Sequence, residues 1–261
     1  MAPGSFFSRV LPLNLPNVIT VGRIAATPVI ASLVISAGWQ PRFSAWLLYV
    51  AAAVTDYLDG KLARDRNLVT NLGKLLDPLA DKLLLVATLL PMYWLTREIG
   101  LFESLPAPDA WAAPRVIGPV SASSDATHLA YPFVTPFGLI GLPFWIVAVV
   151  IGRELLMTFF RQFAARRGVI IAAIGPAKWK TGFQSVWVGA AFFWYFASAA
   201  AVEHQWTSDA WKAFAMFNGI VGTLSMIGAV GLTLFSLYLY LRRYGGTVLR
   251  LAAPPDGAGG A

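Results

Sequence analysis

The sequence contains no cysteine and little charge. Among its 261 residues only two are histidine, and charged residues make up 13% of the chain, against about a quarter in a typical soluble domain. The absence of cysteine excludes disulfides, zinc–thiolate sites and thiol nucleophiles. The low charge leaves too few polar side chains to cover a surface that faces water. The net charge of +7 does not indicate nucleic acid binding, because no basic soluble module accompanies it.

The sequence contains several long apolar runs without charged residues. Hydrophobic residues make up 57% of the chain, and the mean hydropathy is +0.63. A helix needs about 20 apolar residues to span a bilayer, and the shorter runs are long enough once a polar helix end inside the bundle is allowed. The sequence therefore predicts an all-α, polytopic membrane protein with six transmembrane helices, centred on residues 24–41, 43–55, 83–96, 135–152, 181–202 and 213–241.

The basic residues predict how these helices are oriented. With a cytoplasmic N-terminus, all but four of the 20 Lys and Arg lie in cytoplasmic segments or at cytoplasmic helix ends; the exceptions are Arg42, Arg97, Arg115 and Lys212. Positively charged segments are retained in the cytoplasm. We therefore expect a multi-pass protein of the cell membrane with both termini cytoplasmic.

Three segments lie outside the predicted membrane domain or interrupt it. Residues 1–16 predict a short interfacial segment, since they lack the cleavage site of a secretory signal. Residues 97–136, rich in Pro, Ala and Ser, predict a long external loop. Residues 245–261 predict a flexible cytoplasmic tail. The six-helix membrane domain then extends over residues 17–244.

Four aspartates are predicted to meet at the cytoplasmic mouth of the bundle. Asp56 and Asp59 are three residues apart, and Asp77 and Asp81 are four apart, so each pair shares one helix face. The second helix is expected to end near Gly60 and the third to begin near residue 73. The short linker makes these helices antiparallel neighbours, which brings the two pairs together. Asp65, which lies in the linker, is expected to be a solvated loop charge.

The four aspartates can be interpreted in two ways: as ordinary charges at helix ends, or as ligands of a cation. A negative charge is favoured in the first turn of a helix, which accounts for Asp77. It does not account for Asp56 and Asp59, which are predicted near a helix C-terminus beside the membrane. Carboxylates that close together need compensating cations, and an all-oxygen ligand set favours Mg²⁺, Mn²⁺ or Ca²⁺. The pattern therefore indicates a polar metal site at the cytoplasmic side of the bundle.

The same residues carry a family resemblance. The spacing resembles, at every fixed position, the signature of the CDP-alcohol phosphotransferases: Asp56-x2-Asp59-Gly60-x2-Ala63-Arg64-x8-Gly73-x3-Asp77-x3-Asp81. The resemblance implies transfer of a substituted phosphate from a CDP-linked donor to an alcohol, with release of CMP. It also implies two divalent cations, Mg²⁺ or Mn²⁺, held by the four aspartates. Asp81 would in addition be the general base, and the protein would be a homodimer.

The resemblance also implies where the CDP donor binds. Gly60 and Ala63 would border the cytidine and ribose, although two small residues three apart are equally typical of close helix packing. Arg64 would pair with the pyrophosphate, because a guanidinium suits phosphate oxygens. Donor contacts are further expected at Gly73, Asn17 and Thr20.

Further stretches resemble one branch of the family, the bacterial phosphatidylglycerophosphate synthases: NLPNVITVGRIAATP, GRELLMTFFRQFA and GPAKWKTGFQ. This implies CDP-diacylglycerol and glycerol 3-phosphate as substrates. Arg153 and Arg161 are eight residues apart, about 12 Å along a helix, so both side chains can reach one cavity. Together with Lys178 and Lys180 they are predicted to bind the acceptor phosphate. The alternatives are a structural Arg153–Glu154 pair and, for the lysines, anchoring at the cytoplasmic face.

Other functions remain open at this point. The same chemistry on another acceptor would make the protein a cardiolipin synthase that uses phosphatidylglycerol, or an enzyme that uses inositol phosphate. A divalent-cation transporter would also need carboxylates, but it would place polar residues along a path through the membrane. Here the acidic and basic residues are predicted at one face, which favours the enzyme.

Overall fold

The computed structural model describes residues 15–65, 70–96, 101–103, 133–167 and 176–252. These ranges are mostly helical, as predicted, and also contain three short strands. The helices are α1 (Leu15–Ile35), α2 (Trp39–Asp65), α3 (Asn71–Thr96), α4 (Phe144–Arg166), α5 (Pro176–Glu203) and α6 (Asp209–Ala252). The strands are β1 (Phe102–Glu103), β2 (Phe133–Thr135) and β3 (Gly138–Ile140).

Each of the six helices is long enough to cross the hydrocarbon core of a bilayer. The shortest, α1, has 21 residues and the longest, α6, has 44, so even α1 measures about 30 Å at 1.5 Å per residue. Two stretches, Pro16–Ile35 and Asp209–Gly245, are in addition continuously apolar enough to be candidate membrane spans. Helices α2 to α5 carry the ionisable residues that line the cavity described below.

The helices pack around one apolar core. Helix α1 packs against α2 and α3, α5 packs against α2 and α6, and α4 contacts α3 and α6. All six helices contribute side chains to the core, among them Ile30, Tyr49, Leu89, Val150, Trp187 and Met226. Outward-facing positions are apolar as well, with exposed large hydrophobic residues on each helix, such as Val29, Leu47, Trp94, Phe159, Val186 and Leu224.

The connection between α2 and α3 is shorter than the sequence predicts. Helix α2 continues past Gly60 to Asp65, and α3 begins at Asn71. A glycine inside a helix costs only about 1 kcal/mol, and the Lys, Leu, Ala and Arg that follow Gly60 favour helix. Asp65, predicted to lie in the linker, is instead the last residue of α2. The longer helix leaves Asp56 within α2 rather than at its end.

The predicted external loop contains short strands that were not predicted from the sequence. Strands β1 and β2 lie within residues 97–136, and both pair antiparallel with β3, which is the central strand. The β2–β3 hairpin turns at Pro136–Phe137, and Gly138 has a φ of +153°. Strands of two or three residues are too short to show an alternating pattern. Residues 97–100 and 104–132 of the loop lie outside the described residues.

The predicted terminal segments are only partly covered. Residues 1–14 and 253–261 lie outside the described residues. Helix α6 continues to Ala252, so residues 245–252, predicted as part of a flexible tail, are helical. This stretch contains no proline, and the first helix breakers beyond it are Pro254 and Pro255.

Two glycines on α6 allow strand β2 to lie directly on the helix. A Cβ at Gly219 would lie 1.8 Å from the carbonyl oxygen of Val134, and one at Gly222 would lie 1.9 Å from the ring of Phe133. Both distances are far below van der Waals contact. A residue with a side chain at either position therefore requires β2 to move away from α6.

We expect Gly219→Ala to lower the free energy of unfolding by about 1–3 kcal/mol, the usual cost of overpacking. Gly231→Ala is the matched control, because it lies on the same helix and an added Cβ there meets nothing within 4 Å. The control is expected to melt at or slightly above the wild-type temperature. Thermal unfolding in detergent measures both, and equal melting temperatures for the two variants would contradict the packing described here.

Candidate active site

A cavity of about 400 Å³ opens among helices α2, α3, α4 and α5. Carboxylates from α2 and α3 and basic side chains from α4 and α5 share its wall: Asp56, Asp77, Asp81, Arg153, Arg161 and Lys180. The two sets are about a hundred residues apart in the sequence. The fold thus brings the predicted metal ligands and the predicted acceptor-binding residues to one space.

Helix α1 presents a stripe of buried polar residues to the carboxylate side of this cavity. Asn17, Thr20 and Arg23 are spaced by three residues, so they lie along one face of the helix, and each is at most 3% exposed. Buried polar groups in an apolar bundle need partners. The partners lie on α2, on α3 and just before α3.

The first two stripe residues contact the N-terminal part of α3. Asn17 and Thr70 exchange side-chain hydrogen bonds of 3.0 and 3.1 Å, and the Thr70 hydroxyl also accepts from the backbone N–H of Gly73 at 3.0 Å. The Thr20 hydroxyl donates to Asp77 Oδ1 at 3.0 Å. Neither Asn17 nor Thr20 lines the described cavity, and their predicted contact with the donor stays a prediction. They position the carboxylate-bearing helix.

The packing of α1 against the start of α3 explains why residue 73 is a glycine. A Cβ at this position would lie 2.9 Å from Asn17 Oδ1 and 3.2 Å from the Thr70 hydroxyl. A side chain there would push α1 away from the start of α3. In the structure Gly73 permits the close approach of α1. It does not line the described cavity, and its predicted contact with the donor stays a prediction.

Arg23 is the third stripe residue and the one buried cation on the carboxylate side of the described cavity. Its guanidinium forms an ion pair with Asp56 Oδ1 and lies 3.6 Å from Asp81 Oδ1. The Arg23 side chain is 1% exposed, whereas those of Asp56 and Asp81 are 46% and 60% exposed. The arginine therefore approaches from the protein interior, and the two carboxylates lie between it and the cavity.

Arg153, Arg161 and Lys180 form the opposite, basic wall of the cavity. Glu154 forms ion pairs with two of them. Its Oε1 accepts hydrogen bonds from Arg153 Nη1 at 2.7 Å and from Lys180 Nζ at 2.5 Å. Arg153 Nη2 also donates to the hydroxyl of Ser236 at 2.9 Å. Arg153 and Lys180 are 6% and 5% exposed, and burying two such cations without a carboxylate would cost several kcal/mol each. The Arg153–Glu154 pair, considered as an alternative from the sequence, exists and includes Lys180.

Arg161 extends the basic wall toward α6. Its guanidinium donates to the Tyr240 hydroxyl at 2.9 Å and lies over the Tyr240 ring, 5.4 Å from its centre. As expected from their spacing, Arg153 and Arg161 reach the same cavity. Arg161 has no ion pair to Glu154 among the described contacts, so it is the more available of the two for an anionic ligand.

The carboxylate set suits a hard divalent cation in its chemistry. Asp56, Asp77 and Asp81 supply only oxygen ligands, and all three line one cavity. Among the described side chains, no group of three or more His, Cys, Asp or Glu is already gathered at metal-binding distance. The side chain of Asp59, the fourth predicted ligand, lies outside the described residues. The donor set therefore fits the predicted cations.

Some predicted site residues are not covered, and some contributing residues were not predicted. The surroundings of Gly60 and the side chains of Ala63, Arg64 and Lys178 lie outside the described set, so these predictions stay predictions. The hydroxyls of Ser236 and Tyr240 were not predicted to contribute to the site. They are four residues apart on α6, within an uncharged run. Two hydroxyls at helical spacing in an apolar span were the available signal.

Comparison with known proteins identifies the family. The model of the CDP-alcohol phosphatidyltransferase family matches residues 13–113 and 123–235. The chain belongs to this family. A CDP-diacylglycerol–glycerol-3-phosphate 3-phosphatidyltransferase of Bacillus subtilis is 31% identical over 189 residues, which cover 68% of this chain and 75% of that protein.

Two plant proteins are similar over shorter shares of their length. A chloroplastic/mitochondrial CDP-diacylglycerol–glycerol-3-phosphate 3-phosphatidyltransferase 1 of Arabidopsis thaliana is 31% identical over 176 residues, 66% of this chain and 48% of that protein. A cardiolipin synthase (CMP-forming) of Oryza sativa is 32% identical over 176 residues, 66% of this chain and 43% of that protein. The chain thus spans about half the length of these plant relatives.

Proposed function

We propose that this protein transfers the phosphatidyl group from CDP-diacylglycerol to glycerol 3-phosphate, giving phosphatidylglycerol phosphate and CMP. The observation that carries the proposal is the shared cavity, with carboxylates on one wall and basic side chains on the other. Family membership supports the reaction class, and relatives named for this reaction support the substrates.

The reaction needs a proton acceptor beside the attacking hydroxyl. The acceptor oxygen forms a bond to the phosphatidyl phosphorus, the bond from that phosphorus to the bridging oxygen breaks, and CMP leaves with that oxygen. Asp81 takes the hydroxyl proton in this proposal. Its side chain is 60% exposed on the cavity wall, in reach of a bound acceptor, and a positioned base of this kind typically contributes about 10²–10⁴-fold to the rate.

Two divalent cations, Mg²⁺ or Mn²⁺, would be held by Asp56, Asp59, Asp77 and Asp81. When bound, they would neutralise the pyrophosphate oxygens and the charge that develops on the leaving CMP. On the same proposal, Gly60, Ala63 and Arg64 contact the nucleotide and pyrophosphate. Asn17, Thr20 and Gly73 serve the donor indirectly, by fixing the start of α3 against α1.

The basic wall suits an acceptor that carries a phosphate. Arg153, Arg161 and Lys180 line the cavity together, with Lys178 proposed beside them. Glu154 neutralises part of this charge, so the remaining cations match a single phosphate group rather than a more highly charged ligand. Glycerol 3-phosphate places such a phosphate a short distance from its free hydroxyl, which can then face Asp81.

We further propose that all six helices span the cell membrane, with both termini and the cavity at the cytoplasmic side. Exposed apolar side chains on each helix support this, since such a surface suits lipid and not water. The placement of the basic residues supports the orientation. A homodimer is proposed from the family resemblance alone.

Release of CMP by the purified protein tests the proposed function. The assay combines CDP-diacylglycerol, Mg²⁺ or Mn²⁺, and one acceptor at a time: glycerol 3-phosphate, phosphatidylglycerol or inositol phosphate. We expect CMP and phosphatidylglycerol phosphate with glycerol 3-phosphate. Asp81→Asn is expected to release no CMP while melting at the wild-type temperature.

The outcomes of this assay separate the alternatives. CMP release with phosphatidylglycerol and none with glycerol 3-phosphate would replace the proposal by a cardiolipin synthase, the activity after which the Oryza sativa relative is named. No release with any acceptor would refute the enzyme. Retained activity in Asp81→Asn would refute the role of Asp81 as base.

The proposed phosphate contact predicts a selective effect on the acceptor. Arg161→Ala removes a cation that is not tied to Glu154, and the loss of a hydrogen bond to a charged group costs about 1.5–3 kcal/mol. We expect the KM for glycerol 3-phosphate to rise about tenfold or more, with the KM for CDP-diacylglycerol within twofold of wild type. Steady-state kinetics with each substrate varied in turn measures both.

Arg166→Ala is the matched control for this variant. Arg166 lies on the same helix and is exposed, but it does not line the cavity. It is expected to leave both KM values unchanged. If Arg161→Ala raised the two KM values equally, the assignment of this wall to the acceptor would be wrong.

A further inference from the structure

Arg23 is the residue whose position the proposed chemistry does not explain. It contributes no ligand atom for a cation and lies behind the carboxylates, away from the cavity. Its guanidinium nevertheless contacts carboxylates from two different helices, Asp56 on α2 and Asp81 on α3. It therefore links the two halves of the acidic motif from a third helix.

The electrostatic need for such a link follows from the geometry. Asp56 and Asp81 both lie within 4 Å of the same guanidinium nitrogen, so their negative charges are close to each other. Like charges a few ångströms apart repel each other, and more strongly at a protein surface than in bulk water because the effective dielectric constant is lower. A fixed positive charge between them offsets this repulsion whether or not a metal is present.

We propose that Arg23 is a permanent internal counter-ion that holds Asp56 and Asp81 together when no metal is bound. This inference rests on the proposed metal site. The guanidinium approaches from the protein interior, and the exposed sides of both carboxylates face the cavity. Because the arginine stays in place, it also lowers the affinity of the site for cations. The fold in turn does not depend on bound cations.

Arg42 shows that burial alone does not place an arginine beside carboxylates. It is buried like Arg23, at 1% exposure against 3%, but lies at the start of α2. Its Nε donates to the carbonyl of Ser36 at 3.1 Å. No carboxylate among the described residues is paired with it. Arg42 is therefore the matched control for changes at Arg23.

Mn²⁺ affinity of the purified protein, measured by titration calorimetry without substrates, tests the proposal. We expect Arg23→Gln to bind Mn²⁺ at least about tenfold more tightly than wild type, because a competing positive charge beside the carboxylates is lost. Arg23→Lys, which keeps the charge, and Arg42→Gln are both expected to stay within about threefold of wild type. Unchanged or weaker Mn²⁺ binding by Arg23→Gln would overturn the proposal.

Thermal stability provides the second readout. In EDTA, Arg23→Gln is expected to melt well below wild type, and saturating Mn²⁺ is expected to restore most of the difference. A variant that melts equally low with and without Mn²⁺ would show an ordinary packing defect and would refute the proposal. If Arg23→Gln is recovered only unfolded, the double variant Arg23→Gln/Asp56→Asn should fold, because the unpaired carboxylate is removed as well; failure to fold would also refute it.

The failure of this inference is distinguishable from the failure of the proposed function. If the wild-type protein bound no Mn²⁺, the metal site itself would be wrong, and the role of Arg23 with it. If wild type bound Mn²⁺ and Arg23→Gln bound it equally well, only the counter-ion role would be lost.

Discussion

The pairing of charge inside an apolar helical bundle is the constraint on which the rest of this structure depends. Arg23, Arg153 and Lys180 are nearly buried, and an unpaired charge in such a setting costs several kcal/mol. Each of the three meets a carboxylate: Asp56 for Arg23, and Glu154 for the other two. These ion pairs connect α1 to α2 and α4 to α5, so the site can form only when the helices pack in this arrangement.

The two walls of the cavity pair their buried charges in different ways. On the acidic wall, one arginine from α1 serves two aspartates, and threonine and asparagine side chains fix the start of α3. The carboxylates stay exposed to the cavity. On the basic wall, one glutamate serves two cations, and the α6 hydroxyls of Ser236 and Tyr240 bond to Arg153 and Arg161. Each wall thus keeps an excess of one sign, and the cavity between them suits a reaction between a cation-bound pyrophosphate and an anionic alcohol.

Helix spacing explains what the sequence predicted well. The i, i+4 spacing of Asp77 and Asp81 and the eight-residue spacing of Arg153 and Arg161 are local properties of a helix. They place side chains on a face before anything is known of the neighbouring helices. In the structure, the members of both sets whose side chains are described line one cavity.

Other features depend on contacts between distant segments and were not predictable in this way. The bonds from Asn17 to Thr70 and from Glu154 to Lys180 join residues that are far apart in the sequence or on different helices. The sheet pairs strands of two and three residues across about thirty residues of chain, and only the close packing at Gly219 and Gly222 shows why β2 lies where it does. The hydrogen bonds that Asn17 and Thr20 make to Thr70 and Asp77 were likewise not predictable from the sequence.

The proposed site is tested most directly by a crystal structure of the protein with Mn²⁺ and glycerol 3-phosphate, with anomalous data collected to locate manganese. We expect manganese peaks beside Asp56, Asp77 and Asp81, and the acceptor phosphate in contact with Arg161 on the facing wall of the same cavity. Manganese at another place, or a phosphate bound away from the basic wall, would contradict it.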